Sequence, residues 1–99
     1  MKASEISAII KPVEELVNSP EHLIENLCTD SRTINDAAAS LFFAIPTKRN
    51  NGNKYVEELY RKGMRCFVVD VTSDEALMGR LHTLEGINLW MVKDVVTAL

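Results

Sequence analysis

The run Ser40-Leu41-Phe42-Phe43-Ala44-Ile45-Pro46 constrains this chain more than any other stretch. Four large apolar residues stand in it without polar alternation, and a proline ends it. A strand with one wet face would alternate polar and apolar side chains, so this one must be covered on both faces. The rest of the chain supplies the covering layers in order. Spacing predicts a helix over 54–62 and a second buried strand over 65–71. A Thr72/Glu75 capping box then opens a helix reaching about His82, and a third β-rich run follows over 87–92. In the first of these helices Tyr55, Val56, Leu59 and Tyr60 share a face. Glu57–Arg61 and Glu58–Lys62 are i,i+4 pairs there, and Gly63 is the stop. Leu77, Met78 and Leu81 face inward from the second. Strand and helix alternating in this way give a sheet with parallel pairs and helical crossovers.

Upstream, Ser4 is placed to cap a helix over 5–10, in which Ile6, Ile9 and Ile10 keep helical spacing until Pro12. Residues 13–17 read as a short edge strand ending at the Asn18-Ser19-Pro20 turn. From Leu23 the pattern Leu-Ile-Glu-Asn-Leu-Cys-Thr reads as a strand that delivers Asp30, Ser31 and Arg32 at its carboxyl end. Residues 93–99 turn helical. The expectation is a single α/β domain with a mixed, partly parallel sheet of about five strands flanked by helices. A length of 99 residues suits one such domain.

Composition narrows the function classes. A formal net charge of -3 argues against a general nucleic-acid binder, which would carry a basic face. No apolar run approaches the ~18–20 residues that span a membrane. The first residues are too short and interrupted a run for a signal peptide, so the expected location is cytoplasmic. Cys28 and Cys66 sit beside apolar residues and are expected to be reduced core residues. There is no C-x-x-C, and His22 and His82 stand apart, so no metal site is expected. Phe42, Phe43 and Trp90 read as core.

One region reverses the overall sign. Between Asp36 and Glu57 there is no acid, yet Lys48, Arg49 and Lys54 fall there. Cations beside Gly and Asn mark a place for an anion. In open α/β sheets ligands settle beyond the carboxyl ends of strands. Both the Asp30-Ser31-Arg32 corner and the 47–53 loop leave such ends, and a helix N-terminus follows the loop. Ser31 offers a hydroxyl, and Lys48 and Arg49 offer charge. Asn50, Asn51 and Asn53 carry the paired donor and acceptor that a nucleobase edge takes. The same residues fit a solvated surface loop, and Asp30 with Arg32 fits an ion pair or Asx-turn; spacing alone leaves both open. Ser31 has no His in range to activate it, and there is no G-x-x-x-x-G-K-[ST]. No catalytic residue is expected.

The order of these pieces carries a resemblance. An apolar strand, T-D-S-R, an L-F-F-A-I strand, a loop with N-G-N-x-Y, and a helix ending in K-G-x-x-x-F-V-V together resemble the N-terminal domain of the Mur ligases. The closest type is MurF, the UDP-N-acetylmuramoyl-tripeptide–D-alanyl-D-alanine ligase. The wording E-E-L-Y-R-K-G and the long link after the triplet look most like versions fused to an alanine racemase. The resemblance covers nearly the whole chain. It implies a substrate-binding domain over 1–92, with 93–99 beginning the segment that leads to an ATP-binding domain. It implies that the UDP end of a UDP-N-acetylmuramoyl peptide lies against Thr29, Asp30, Ser31 and Arg32, and against Thr47, Lys48, Arg49, Asn50, Asn51, Gly52 and Asn53. The partners implied are that peptide and the other domains of the same chain. In the full-length, ADP-forming amide ligase of peptidoglycan synthesis, ATP and Mg2+ would serve the other domains, with pyridoxal phosphate if a racemase were fused. The region over 1–92 would need no cofactor and would be inactive alone.

Thr47 stands where the family usually has Gly, and Asn51 and Asn53 replace an acid and a His. The link over 35–40 is about two residues longer than usual and lacks the common Pro-Gly-Asp. These departures support a rival expectation: a docking module of the same fold, in a ligase–racemase fusion, that has lost nucleotide binding.

Overall fold

In a computed structural model that describes residues 1–29, 36–44, 55–70 and 79–93, five strands make one sheet. They are β1 (Glu14–Val17), β2 (Asn26–Cys28), β3 (Ser40–Phe43), β4 (Cys66–Asp70) and β5 (Asn88–Val92), in the spatial order β1-β5-β4-β3-β2. Strands β2 to β5 are parallel, and β1 runs antiparallel to β5 on the outer edge. The architecture is the α/β single domain with a mixed, mostly parallel sheet that the alternation predicts. Every described residue of β3 and β5 is buried.

Pleating sorts the strand residues onto two faces. Phe42, Phe67, Val69, Leu89 and Met91 lie on the first, where Val56, Leu59 and Leu81 cover them. Phe42 and Phe67 meet edge to face, with ring centroids 6.5 Å apart. Leu41, Phe43, Cys66, Val68, Trp90 and Val92 lie on the second face, under Ala3, Ile6 and Ile24. Both crossovers from β3 to β4 and from β4 to β5 step the same way across the sheet. Right-handed connections that all step one way place their helices on one face, hence the grouping of Val56, Leu59 and Leu81.

Helix α1 (Ala3–Ile10) covers the second face. It starts two residues before the position Ser4 would cap. Lys2 is the capping residue; its N–H donates to the Glu5 carboxylate, 3.3 Å away. The Ala3 and Ser4 N–H groups donate to the carbonyls of His22 and Pro20 at 2.8 and 3.0 Å. Backbone from the 20–22 turn thus does the capping that a serine side chain was expected to do. Lys11 ends the helix in the left-handed region, φ 48, before Pro12.

Helix α2 (Tyr55–Arg61) closes with a Schellman turn. Gly63 adopts φ 110 and donates to Tyr60 O at 3.0 Å, while Met64 N–H reaches Leu59 O at 3.0 Å. Glu58 and Lys62 pair at 3.7 Å as expected. Glu57, expected to pair with Arg61, instead meets Arg80 at 3.0 Å, because tertiary packing brings the 79–81 helical turn beside α2. The Thr72/Glu75 capping box, Leu77, Met78 and residues 94–99 lie outside the described residues.

Strand β2 is shorter than the sequence suggests. Residues 23–25 lie outside it, and Leu23 makes only an isolated bridge with Lys2. Cys66 is buried, whereas Cys28 is only half-buried on the opposite face and two strands away. That geometry keeps the two sulfurs from forming a disulfide. Among the described residues, no helix is long and apolar enough to cross a membrane.

Candidate functional site

Parallel pairing brings the carboxyl ends of β2, β3, β4 and β5 to one edge of the sheet. Cys28 sits opposite Phe42 in the β2–β3 register, so the chain leaves these two strands side by side, about 4.8 Å apart. Thr29 is exposed at the end of β2. Beyond β3, Ala44 stays tied to the sheet through its N–H to Val68 O at 2.9 Å. Thr29 and Ala44 are therefore the last described residues after neighbouring strands at one edge. Of the nominated residues, Thr29 alone is described. Asp30, Ser31, Arg32, Thr47, Lys48, Arg49, Asn50, Asn51, Gly52 and Asn53 lie outside the described residues.

The strand order β5-β4-β3-β2 has no point where the parallel crossovers reverse direction. The crevice that such a reversal opens in doubly wound sheets is therefore missing from these four strands. A ligand at this edge would have to be held by the loops themselves. Glu57 and Glu58 occupy the first turn of α2 and meet the positive end of the dipole with their own charge.

At the opposite edge lies a polar cluster that the sequence reading missed. Asn88 is fully buried. Its Oδ1 accepts from Ser19 N–H at 2.9 Å, and its Nδ2 donates to Ser19 O at 3.1 Å and toward Cys66 Sγ at 3.6 Å. Asn18 Nδ2 adds a bond to Ile87 O at 2.6 Å. Both polar atoms of the amide are engaged within the fold, so the cluster is a fastening. It holds the 18–20 turn on β5, and that turn in turn caps α1. Burial pushes the Cys66 thiol up to about 11, against the lesser opposing effect of Asn88. The one legible signal was an Asn inside the apolar run 87–92.

A second chain of bonds ties α1 down. The Trp90 indole N–H donates to Ser7 Oγ at 2.9 Å, and the Ser7 hydroxyl donates to the Glu15 carboxylate. Elsewhere, the Arg65 guanidinium lies 3.9 Å over the Tyr60 ring and donates to the Tyr60 and Met64 carbonyls at 2.9 Å. These contacts close the C-terminal end of α2. No group of three or more His, Cys, Asp or Glu side chains among the described residues could hold a metal ion.

One depression, about 400 Å3, lies beside β1 and is lined by Ser7, Lys11, Pro12, Val13, Glu14 and Glu15. Another, about 540 Å3 and mostly apolar, lies between α1 and the β2–β3 side of the sheet. Thr29, the one described nominee, lines neither. Comparison with protein-family models, with curated proteins and with solved structures gave no match.

Proposed function

We propose that this chain binds the UDP end of a UDP-N-acetylmuramoyl peptide, as the first domain of a MurF-type, ADP-forming amide ligase. One observation carries the reading beyond the resemblance. Thr29 and Ala44, the last described residues before 30–32 and 47–53, follow adjacent parallel strands at the same sheet edge. Lys48 and Arg49 would meet the diphosphate, Ser31 would donate to it, and the Asn residues would read the base. In this role the domain holds a part of the substrate remote from the reacting carboxylate. Its binding energy positions the chemistry performed elsewhere, and it contributes no catalytic group.

The test is an amide NMR titration of the chain with the UDP-muramoyl tripeptide. Saturable shifts are expected at Thr29 and across 30–32 and 47–53, with a dissociation constant of roughly 10 μM to 1 mM. Lys48→Ala and Arg49→Ala should each weaken binding by on the order of 1 kcal/mol and flatten its salt dependence. Shifts confined to 79–86, or an affinity indifferent to salt, would overturn this placement of the phosphates.

A further inference from the structure

Asn18 and Ser19 open the turn that follows β1. Asn18 Nδ2 donates to Ile87 O at 2.6 Å, and the Ser19 N–H donates to Asn88 Oδ1 at 2.9 Å. Asn88 Nδ2 returns a bond to Ser19 O at 3.1 Å. Further along the turn, the carbonyls of Pro20 and His22 accept from Ser4 and Ala3 of α1. An Asn-Ser step also has a chemistry of its own. The backbone nitrogen of the second residue can attack the amide carbon of the first, and a side chain as small as serine shields that nitrogen little. Here the Ser19 nitrogen would lose its proton to solvent and bond to Asn18 Cγ, and Nδ2 would leave as ammonia. Water would then open the cyclic imide to aspartate or isoaspartate. Asn26 and Asn88 each precede Leu, whose branched side chain shields the nitrogen. Among the described residues Asn18 is therefore the asparagine most open to this reaction.

The two groups that react are the two donors that fasten the turn. The Ser19 nitrogen must give up the proton it donates to Asn88, and the Nδ2 that donates to Ile87 is the leaving group. Fastening and reaction exclude one another. We propose that Asn18 is a site of spontaneous deamidation gated by this turn. Closed, the turn protects it; open, it reacts, and the product cannot refasten. An aspartate side chain has no donor for Ile87 O and sets a carboxylate against that carbonyl. Isoaspartate also lengthens the backbone by a methylene and carries the Ser19 N–H out of register with Asn88. The reaction is thus a one-way latch that releases the turn from β5 and loosens the caps of α1.

The experiment is incubation of the chain in mildly alkaline buffer, folded and in urea. Peptide mass reads deamidation at each asparagine, and NMR reads exchange of the Ser19 amide. The pair Asn51-Gly52, in which no Cβ shields the nitrogen, shows in urea that the reaction is running. Deamidation at Asn18 should be about tenfold or more slower in the folded chain, because the bonds of the turn must open first, and should be protected in step with Ser19 exchange. Asn88→Ala removes the acceptor of the Ser19 N–H and should raise the folded rate about fivefold. Ser19→Gly bares the nitrogen but keeps its N–H on Asn88. Its folded and unfolded rates should rise together and leave their ratio unchanged, a test that stands even where Asn88→Ala does not fold. Asn18→Asp, which mimics the product, should speed Ser19 exchange about fivefold or more. Three results would overturn the proposal: equal rates at Asn18 folded and in urea, a Ser19→Gly chain with no folded-state protection, or an Asn18→Asp chain whose Ser19 amide exchanges as slowly as before.

Discussion

The two faces of the sheet are closed by different physics. On the first, Phe42, Phe67, Val69, Leu89 and Met91 meet Val56, Leu59 and Leu81 in a contact made of hydrocarbon and aromatic rings. On the second, a short helix is held by named polar links: the Trp90–Ser7–Glu15 chain on one side, and Asn88 with the 18–20 turn on the other. The difference follows from what each helix can bury. Alpha2 places Val56 and Leu59, both fully buried, in the core of the first face. Alpha1 has only Ala3 and Ile6 fully buried, too little apolar area to fix its orientation without directional bonds. An apolar face tolerates sliding; a hydrogen-bonded one sets a single register. The second face also retains an open groove beside its helix, while the first has two helical segments over it.

Three experiments put this contrast at risk. The largest effect is expected on the first face. Phe67→Ala removes a fully buried ring in edge contact with Phe42 and should cost about 3–5 kcal/mol in urea unfolding. A loss below ~1 kcal/mol would mean that this face is not the main store of stability. An intermediate effect concerns pH and the second face. The Cys66 thiol is raised from 9.0 to about 11 by burial. Below pH 9 it is neutral in both states, so its full contribution is present. Between pH 9 and 11 only the unfolded chain ionises, and stability should fall by on the order of 2 kcal/mol. Cys66→Ala should lack this part of the alkaline slope; parallel curves for both proteins would contradict it. The smallest effect sharpens the directional half of the contrast. Ser7→Ala leaves the Trp90 indole N–H without its acceptor and should cost about 1 kcal/mol. Its tryptophan fluorescence should shift while the methyl spectrum of the first face stays unchanged.

Particular residues show how far the sequence could be read. The unbroken apolar run at Ser40–Phe43 located a strand covered on both sides, and the structure buries all four residues. Gly63 located the end of α2, since its place after the last apolar position suited a left-handed turn that Cβ-bearing residues resist. Glu57 could not be paired from sequence. Its i,i+4 partner and Arg80 are both plausible cations, and only the folded packing of two helical segments selects the second. The candidate site was legible only as an order of polar segments. That the strands preceding both segments are neighbours required the pairing of β2 with β3, a contact between stretches 14 residues apart in register.

What the sequence by itself determined is therefore local: which stretches are strand or helix, which faces are apolar, and where several turns fall. These follow from periodicity and from the backbone preferences of a few residues, which act over one turn or one pleat. The tertiary structure decided which strands became edges, that β1 runs against β5, and that every crossover steps the same way, so that no crevice opens among the parallel strands. It also decided that Asn88, an odd polar residue in an apolar run, is fully satisfied by a turn 69 positions away. These outcomes depend on burial and hydrogen-bond satisfaction summed over contacts distant in sequence, and no local window contains both partners of such a contact.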